Sequence, residues 1–155
     1  MVTSLQAYKK FGDPVKESSM IVWIVPKELR KGFIPSKIYC NKLLVPMLTK
    51  AFQALIDRGY IDELKTWDGC FNIRPIRGQE EKHRLALEAG KIELAMSYLS
   101  MHAWGLAVDV NLKENGLGTS GKLSFGFIQC FTDNGFVWGG TFKRRDPMHM
   151  EIYKI

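Results

Sequence analysis

The 155-residue sequence predicts an α+β domain in which a small antiparallel sheet is flanked by helices. Three observations support this class. Segments with helical periodicity come first along the chain, β-rich segments cluster late, and no internal repeat is present. The composition, 46% hydrophobic and 25% charged residues, is that of a soluble globular protein. A chain of this length can bury a substantial hydrophobic core within one domain.

The first 37 residues are expected to form an N-terminal arm or lid that packs on a core of residues 38–155, both within a single domain 1–155. The arm carries several charges and three prolines. Its one apolar run, residues 20–25, predicts a strand and is far too short to span a bilayer. No basic-then-apolar leader with a small-residue cleavage site is visible, so we expect no Sec signal peptide.

Two stretches before residue 100 predict helices. Residues 43–58 have Pro46 in the first turn and Gly59 just beyond the last. The apolar residues of this stretch follow helical spacing: Leu48, Phe52, Leu55 and Ile56. Residues 79–98 are rich in Glu, Lys, Leu and Ala, so at least part is expected to be helical, with an interruption at Gly90.

A third helix is expected after a glycine-rich loop at residues 113–121. Either Ser120 or Ser124 is placed to cap it, because a hydroxyl can accept from the free N–H groups of the first turn. The helix would carry Phe127, Ile128 and Phe131, and Asn134-Gly135 would close it.

Four segments predict strands. Residues 66–75 form a turn that leads into a short strand ending at Pro75. Residues 105–111 alternate and are rich in β-formers, which predicts a central strand. Residues 136–140 and 149–155 are expected to complete the sheet, the last with clear alternation.

The net charge of +6 favours polyanionic partners: nucleic acid, anionic lipid or the bacterial envelope. Simple solubility is the alternative explanation. Nucleic acid is not an expected partner, because RNA-binding motifs and zinc-finger spacings are absent and the basic residues are scattered. The three cysteines, Cys40, Cys70 and Cys130, show no CxxC spacing and are expected to be free buried thiols.

The chain has only three histidines, and two of them lie near aspartates. His102 precedes a strand that carries Asp109, and Asp146 lies three residues before His149. Neighbouring antiparallel strands can bring such side chains to one face. A catalytic zinc ion takes three protein ligands from His, Asp or Glu and leaves a fourth position for water. Two histidines and a carboxylate meet that count, and Asp146 is placed to take the proton of an attacking water.

On spacing alone, ordinary structural roles remain open for these residues. Asp146 before Pro147 is also explained as a turn residue. Trp104 and Trp138 are also explained as core aromatics. His83 lies in a polar helical stretch and is expected to be a solvated surface residue.

Three segments resemble the M15 zinc peptidases, the family of D-Ala-D-Ala carboxypeptidases and L-alanyl-D-glutamate endopeptidases. "SMHAWGLAVD" (residues 100–109) resembles the motif S-x-H-x-x-G-x-A-x-D. "GFVWGGTFKRRDPMHME" (135–151) resembles the closing segment, in which a Trp-Gly-Gly turn precedes a carboxylate, two residues and a ligand histidine. "FNIRPIRGQ" (71–79) resembles the arginine-bearing segment. The three segments occur in the family's order and cover about half of the chain.

The resemblance implies a role for each matching residue. His102, Asp109 and His149 would hold Zn²⁺, and Asp146 would be the catalytic carboxylate. Arg74 matches the substrate-binding and catalytic arginine better than Arg77 does, because of its distance to Gln79, and Arg77 stays a substrate-binding candidate. Ser100 matches the first serine of the motif and would contact substrate. Glu151 and Trp138 would contact the metal-binding residues and fix their orientation. The implied fold is that of the hedgehog and DD-peptidase group, with the zinc site on the face of the sheet.

The resemblance also implies a function, a zinc-dependent peptidase that cleaves the stem peptides of peptidoglycan. We expect an L-alanyl-D-glutamate endopeptidase that acts as a phage endolysin. It would be a monomer without stable membrane insertion, located in the host cytoplasm before release to the cell wall or periplasm. Three alternatives stay open: a D-Ala-D-Ala carboxypeptidase or dipeptidase, a non-catalytic zinc-binding module, and a virion-associated protein that opens the wall during entry.

Overall fold

Five α-helices and two antiparallel sheets make up the fold, which confirms the α+β class. The computed structural model describes residues 1–155. The helices are α1 (Ser4–Phe11), α2 (Leu44–Asp57), α3 (Glu80–Glu88), α4 (Ile92–Ser97) and α5 (Phe125–Thr132). The strands are β1 (Met20–Ile24), β2 (Lys37–Asn41), β3 (Trp67–Gly69), β4 (Ala107–Val110), β5 (Phe136–Trp138) and β6 (His149–Ile152). None of the helices has the length and apolar character that crossing a membrane requires.

The larger sheet has four strands in the order β3-β4-β6-β5, and every neighbouring pair is antiparallel. The segment predicted as a central strand is β4, which lies between β3 and β6. In the β4–β6 ladder Asp109 pairs with His149, and Ala107 pairs with Glu151. Residues directly opposite one another in an antiparallel ladder project to the same face. The register therefore places the carboxylate of β4 beside the histidine of β6.

The smaller sheet is a hairpin of β1 and β2, so the apolar run at residues 20–25 is a strand as predicted. The N-terminal residues are continuous with the rest of the interior, because one cluster of 32 buried residues extends from Val2 to Ile152. Hydrogen bonds fix α1 in place: Ser4 Oγ donates to the Leu99 carbonyl at 2.6 Å, and Trp104 Nε1 donates to the Gly12 carbonyl at 2.9 Å. The description of residues 1–37 as an arm of one domain stays a prediction.

The helices after residue 40 follow the predicted pattern closely, whereas α1 was not predicted. Gly59, with φ +80°, follows the end of α2, and Gly90, with φ +70°, separates α3 from α4. Of the two serines considered as caps, Ser124 begins α5, where its Oγ accepts from the Phe127 N–H at 3.1 Å. This bond satisfies one of the free N–H groups of the first turn.

Two strand predictions were wrong in their extent. The strand near residues 66–75 is β3, which ends at Gly69. Beyond it the backbone leaves the ladder, because the Cys70 carbonyl accepts from the His102 ring and the Asn72 N–H donates to the His102 carbonyl. The last strand, β6, ends at Ile152, and all four of its residues are buried. Both faces of the sheet are therefore covered at β6. Its buried and exposed residues do not alternate along the strand, although the sequence predicted alternation.

The three cysteines are buried and none forms a disulfide, as predicted. Cys40 on β2 and Cys70 beyond β3 lie near enough to affect each other's ionisation, which lowers the pKa of Cys40 and raises that of Cys70. Cys70 Sγ also contacts the Gly105 carbonyl at 3.4 Å. These thiols pack the hairpin against the segment that supports His102.

Gly105 is expected to be indispensable for the junction between the hairpin and β4. Its φ is +64°, and a Cβ at this position would lie 2.7 Å from the Asn41 backbone nitrogen. We expect Gly105→Ala to lower the free energy of unfolding by about 2 kcal/mol or more, measured by chemical denaturation. Gly116→Ala is the control, because its Cβ would meet nothing nearer than Thr119 Cγ2 at 3.9 Å. Equal stability of the two variants would contradict the steric argument.

Candidate metal centre and its cleft

Three elements bring two histidines and one aspartate together. Asp109 on β4 and His149 on β6 are cross-strand partners. His102 lies in a 3-10 helix, Met101–Trp104, that directly precedes β4. Gly105 ends this helix in the left-handed conformation, and the chain turns there into the strand. The side chains of His102, Asp109 and His149 consequently meet at one end of the β4–β6 ladder.

The potential ligand atoms of these three residues all lie within 4.8 Å of one another. His102 Nε2 is 3.2 Å from His149 Nδ1 and 3.1 Å from Asp109 Oδ2. His149 Nδ1 is 3.2 Å from Asp109 Oδ1. The two imidazoles are almost completely buried, at 3% and 4% exposure, so their nitrogen atoms have little access to bulk water.

Hydrogen bonds on the far side of each ring determine which nitrogen faces the group. His102 Nδ1 is 2.8 Å from the Cys70 carbonyl, which can only accept, so Nδ1 carries the proton and Nε2 presents a lone pair. His149 Nε2 is 2.7 Å from Glu151 Oε2, so Nδ1 is the free nitrogen of that ring. Such carboxylate and carbonyl partners are the usual supports of metal-binding histidines.

This arrangement fits a metal ion. In the neutral rings two lone pairs face each other across 3.2 Å beside a carboxylate, and three acceptors in contact need a shared cation. Zinc binds imidazole nitrogen at about 2.0–2.1 Å, and tetrahedral ligand atoms are then about 3.3 Å apart. The observed separations of 3.1–3.2 Å match that spacing. The donor set, two imidazoles and one carboxylate, also suits zinc.

The electrostatics of the group point in the same direction. Burial alone would raise the pKa of Asp109, but hydrogen bonds from His102 and His149 outweigh it and hold the pKa well below the usual range. Burial opposes protonation of His149, yet Asp109 and Glu151 raise its pKa to about 9. The site therefore keeps its carboxylate ionised and attracts positive charge, whether a proton or a metal ion.

Asp146 lies next to the group but does not belong to it. Its N–H donates to the Gly139 carbonyl at 2.9 Å, and its carbonyl accepts from the His149 N–H at 3.1 Å. Its Oδ1 is buried without any hydrogen-bond partner. Burial raises the pKa of Asp146 and nearby Asp109 adds to this, whereas the charge of His149 opposes it. A carboxylate of this kind is well suited to exchange protons with a molecule in the cleft.

The loop that carries Asp146 is held by two neighbours. Trp138, predicted as a supporting residue, donates from Nε1 to the Pro147 carbonyl at 2.8 Å. Gly139 leaves the space that the loop occupies, because a Cβ there would collide with the Asp146 carbonyl oxygen and approach His149 Cβ at 3.0 Å. Trp138 thus fixes the backbone between Asp146 and His149.

A cleft of about 860 Å³ opens over Asp146 and His149. Six of the residues singled out in the sequence line it: Arg74, Arg77, Ser100, Asp146, His149 and Glu151. The cleft is large enough for several residues of an extended peptide.

The two candidate arginines differ in their placement. Arg74 is half-buried, and its charge lowers the pKa of Asp146, whereas Arg77 is exposed on the rim. Arg74 is also tied to Ser100, whose N–H donates to the Arg74 carbonyl at 3.0 Å. Ser100 in turn caps the 3-10 helix through its Oγ. The half-buried position of Arg74 and its effect on the pKa of Asp146 favour it over Arg77 as the arginine of the reacting groups.

Several residues of the site were missed by the sequence analysis. The cleft is also lined by Gln79, Lys143 and Arg144, and Gln79 Oε1 is a buried acceptor without a partner. The basic triple at residues 143–145 was visible in the sequence, but nothing indicated that it borders the cleft. The supporting carbonyl of Cys70 has no sequence signal, because any residue supplies a carbonyl.

His83 is the histidine that the structure leaves outside the site. It was predicted to be solvated, but it is half-buried, and its Nδ1 is 2.9 Å from the Ala95 carbonyl. The ring joins α3 to α4 and has no acidic partner.

The comparisons with known proteins support the resemblance over part of the chain. Residues 95–152, little more than a third of the sequence, match an M15 peptidase family model described as D-alanyl-D-alanine carboxypeptidase. The matched segment includes His102, Asp109, Asp146 and His149 but not Arg74. No curated protein and no solved structure matches the chain. The match supports an M15-type metallopeptidase that acts on peptidoglycan.

We expect the chain to bind about one zinc ion, because the three ligand atoms form a single group. His102→Ala should abolish stoichiometric binding, measured by metal analysis after dialysis against trace zinc. His83→Ala is the matched control and should retain the metal, since that ring lies outside the group. Retention of zinc by His102→Ala, or its loss from His83→Ala, would contradict the assignment.

Proposed function

We propose that this protein is a zinc-dependent peptidase that cleaves the stem peptides of bacterial peptidoglycan. One observation carries the proposal: three residues that could hold a metal ion lie beside Asp146, a carboxylate with a buried and unpartnered Oδ1, in a cleft of peptide size. A site that only stored a metal for stability would not require the separate carboxylate or the open cleft. This argues against a non-catalytic zinc module.

The proposed roles follow from the contacts. His102, Asp109 and His149 would hold the metal, with Glu151 and the Cys70 carbonyl fixing the two rings. Zinc bound there supplies Lewis-acid chemistry, polarising a carbonyl group and making water more acidic. Asp146 would take the proton from the attacking water and deliver it to the leaving amine. Its unpartnered Oδ1 is the atom available for that transfer.

The basic residues of the cleft would bind the negative groups of the substrate. Arg74, a half-buried residue of the cleft, would neutralise the oxyanion that develops on the scissile carbonyl. A planar guanidinium can bind a carboxylate or an oxyanion through two parallel hydrogen bonds. Arg77 would bind farther along the peptide, and Ser100 would contact substrate from the floor of the cleft.

Within this class we propose an L-alanyl-D-glutamate endopeptidase that acts as a monomeric phage endolysin. It would be made in the host cytoplasm and released to the cell wall at lysis; action from the virion during entry is the alternative. The second candidate activity is that of a D-Ala-D-Ala carboxypeptidase, favoured by the description of the matching family model. Both activities use the same metal group and differ in which peptide bond lies over it.

Digestion of purified peptidoglycan with and without a chelator tests the proposal. We expect the products, identified by mass spectrometry, to show cleavage after L-Ala, and we expect chelation to stop the reaction until zinc is restored. Release of single D-Ala residues would instead assign the carboxypeptidase. Activity that survives complete metal removal would refute the metallopeptidase proposal itself.

Asp146→Ala tests the carboxylate separately from the metal. We expect at least about a 100-fold loss of turnover, because proton transfer in the transition state is worth roughly that much. Zinc content should stay unchanged, since Asp146 is not among the three ligands. Asp57→Asn, an exposed substitution on α2, is the control and should leave both quantities intact. An active Asp146→Ala enzyme would exclude the proton-transfer role.

A further inference from the structure

A second surface of this protein combines apolar and basic side chains at the end of the β1–β2 hairpin. We call residues 22–39 the hairpin tip. Four large apolar side chains of the tip are exposed: Val22 at 58%, Ile24 at 52%, Phe33 at 62% and Tyr39 at 39%. None of the residues of the tip lines the cleft.

The ladder places part of this surface on one face. Val22 is paired with Tyr39, and Ile24 is paired with Lys37, so each pair projects to the same side of the hairpin. The residue between them, Trp23, points inward and is buried. The exposed face of the hairpin therefore carries the side chains of Val22, Tyr39 and Ile24, with the cation of Lys37 at its outer end.

Buried side chains anchor the loop beyond the strands. Val25, Leu29 and Ile34 are buried in the core at 0%, 3% and 6% exposure. Arg30 Nε donates to the Val25 carbonyl at 2.8 Å and closes the loop across its base. Phe33 lies between the anchors Leu29 and Ile34, and its side chain is exposed to solvent.

The tip also carries an excess of positive charge. Its four cations are Lys27, Arg30, Lys31 and Lys37, and its one carboxylate is Glu28, which gives a net charge of +3, half of the +6 of the whole chain. All four cations are exposed, and none forms a salt bridge. Unpaired cations around exposed apolar groups are complementary to a surface that is both anionic and apolar.

We propose that the hairpin tip docks on anionic lipid bilayers, with Phe33, Ile24 and Val22 entering the interfacial region and the cations contacting the lipid headgroups. Burial of apolar area together with electrostatic attraction to anionic lipids is also how amphipathic helices bind at a membrane interface. An anionic polysaccharide or a nucleic acid would satisfy the cations but leave the apolar side chains in water. A second copy of this chain would bring two tips of charge +3 together, which electrostatic repulsion opposes.

Co-flotation with vesicles tests this docking. We expect the protein to bind vesicles of phosphatidylglycerol and phosphatidylcholine, and not vesicles of phosphatidylcholine alone, with binding that weakens as salt is raised. Each cation near an anionic bilayer strengthens binding about fivefold. Lys31→Glu with Lys37→Glu should therefore lower the partition coefficient more than about 20-fold.

Two matched controls separate the tip from the general charge of the protein. Lys82→Glu with Lys113→Glu changes the net charge equally at exposed sites outside the tip and should leave most binding intact. Phe33→Ser should lower binding about tenfold through the loss of apolar burial. Phe125→Ser, at a side chain that is 77% exposed on α5, should have little effect. Unchanged circular dichroism and thermal unfolding would show that each variant is folded.

A dye on residue 33 distinguishes insertion from adsorption by charge alone. An environment-sensitive dye attached to Phe33→Cys should shift its emission to the blue on anionic vesicles, whereas the same dye on Phe125→Cys should not. Equal effects of the two lysine pairs, or no blue shift at residue 33, would overturn the proposal. A lipid-independent dimer that Phe33→Ser dissociates would also overturn it and assign the surface to a second copy.

Discussion

The contact between His102 and His149 is the constraint on which the site depends. When both rings are neutral, their facing nitrogens, 3.2 Å apart, both present lone pairs, and Asp109 adds a carboxylate within 3.2 Å of each. Without a shared cation this would be a buried cluster of acceptors, which costs several kcal/mol. The Cys70 carbonyl binds Nδ1 of His102, and Glu151 binds Nε2 of His149. Only the other nitrogen of each ring is therefore available to a shared cation.

The metal-binding residues and the proposed proton-transfer residue are held by different parts of the structure. Asp109 and His149 are fixed by the β4–β6 ladder, so the separation of the ligand atoms follows from strand register. Asp146 sits on a loop, but Gly139 and Trp138 restrict that loop from two sides. Its carboxylate is thereby brought beside the metal group without joining it, which is the arrangement that a proton-transfer group needs.

The positive charge of the protein is distributed over surfaces of different chemistry. Around the cleft, cations such as Arg74 and Arg144 accompany polar groups, including the unpartnered Gln79 Oε1, and this environment suits a peptide with carboxylates. At the hairpin tip, cations such as Lys31 and Lys37 surround exposed apolar groups. At the cleft, binding is stabilised by hydrogen bonds to charged groups. At the hairpin tip, binding is stabilised by burial of apolar area. Different cations of the protein can thus bind a substrate in the cleft and a bilayer at the hairpin tip.

Most helices, the central strand and the three residues that meet at its end could be predicted from the sequence. Helical periodicity and helix-end residues such as Gly59 and Ser124 are local signals that can be recognised in the sequence. His102, Asp109 and His149 were predicted because they lie in segments that resemble a known family. Only the tertiary structure shows where β3 ends, that the Cys70 carbonyl holds His102, and that Arg74 is half-buried whereas Arg77 is exposed. The physical reason is that these features depend on contacts between segments distant in the chain, and a backbone carbonyl or the reach of an arginine leaves no trace in residue type.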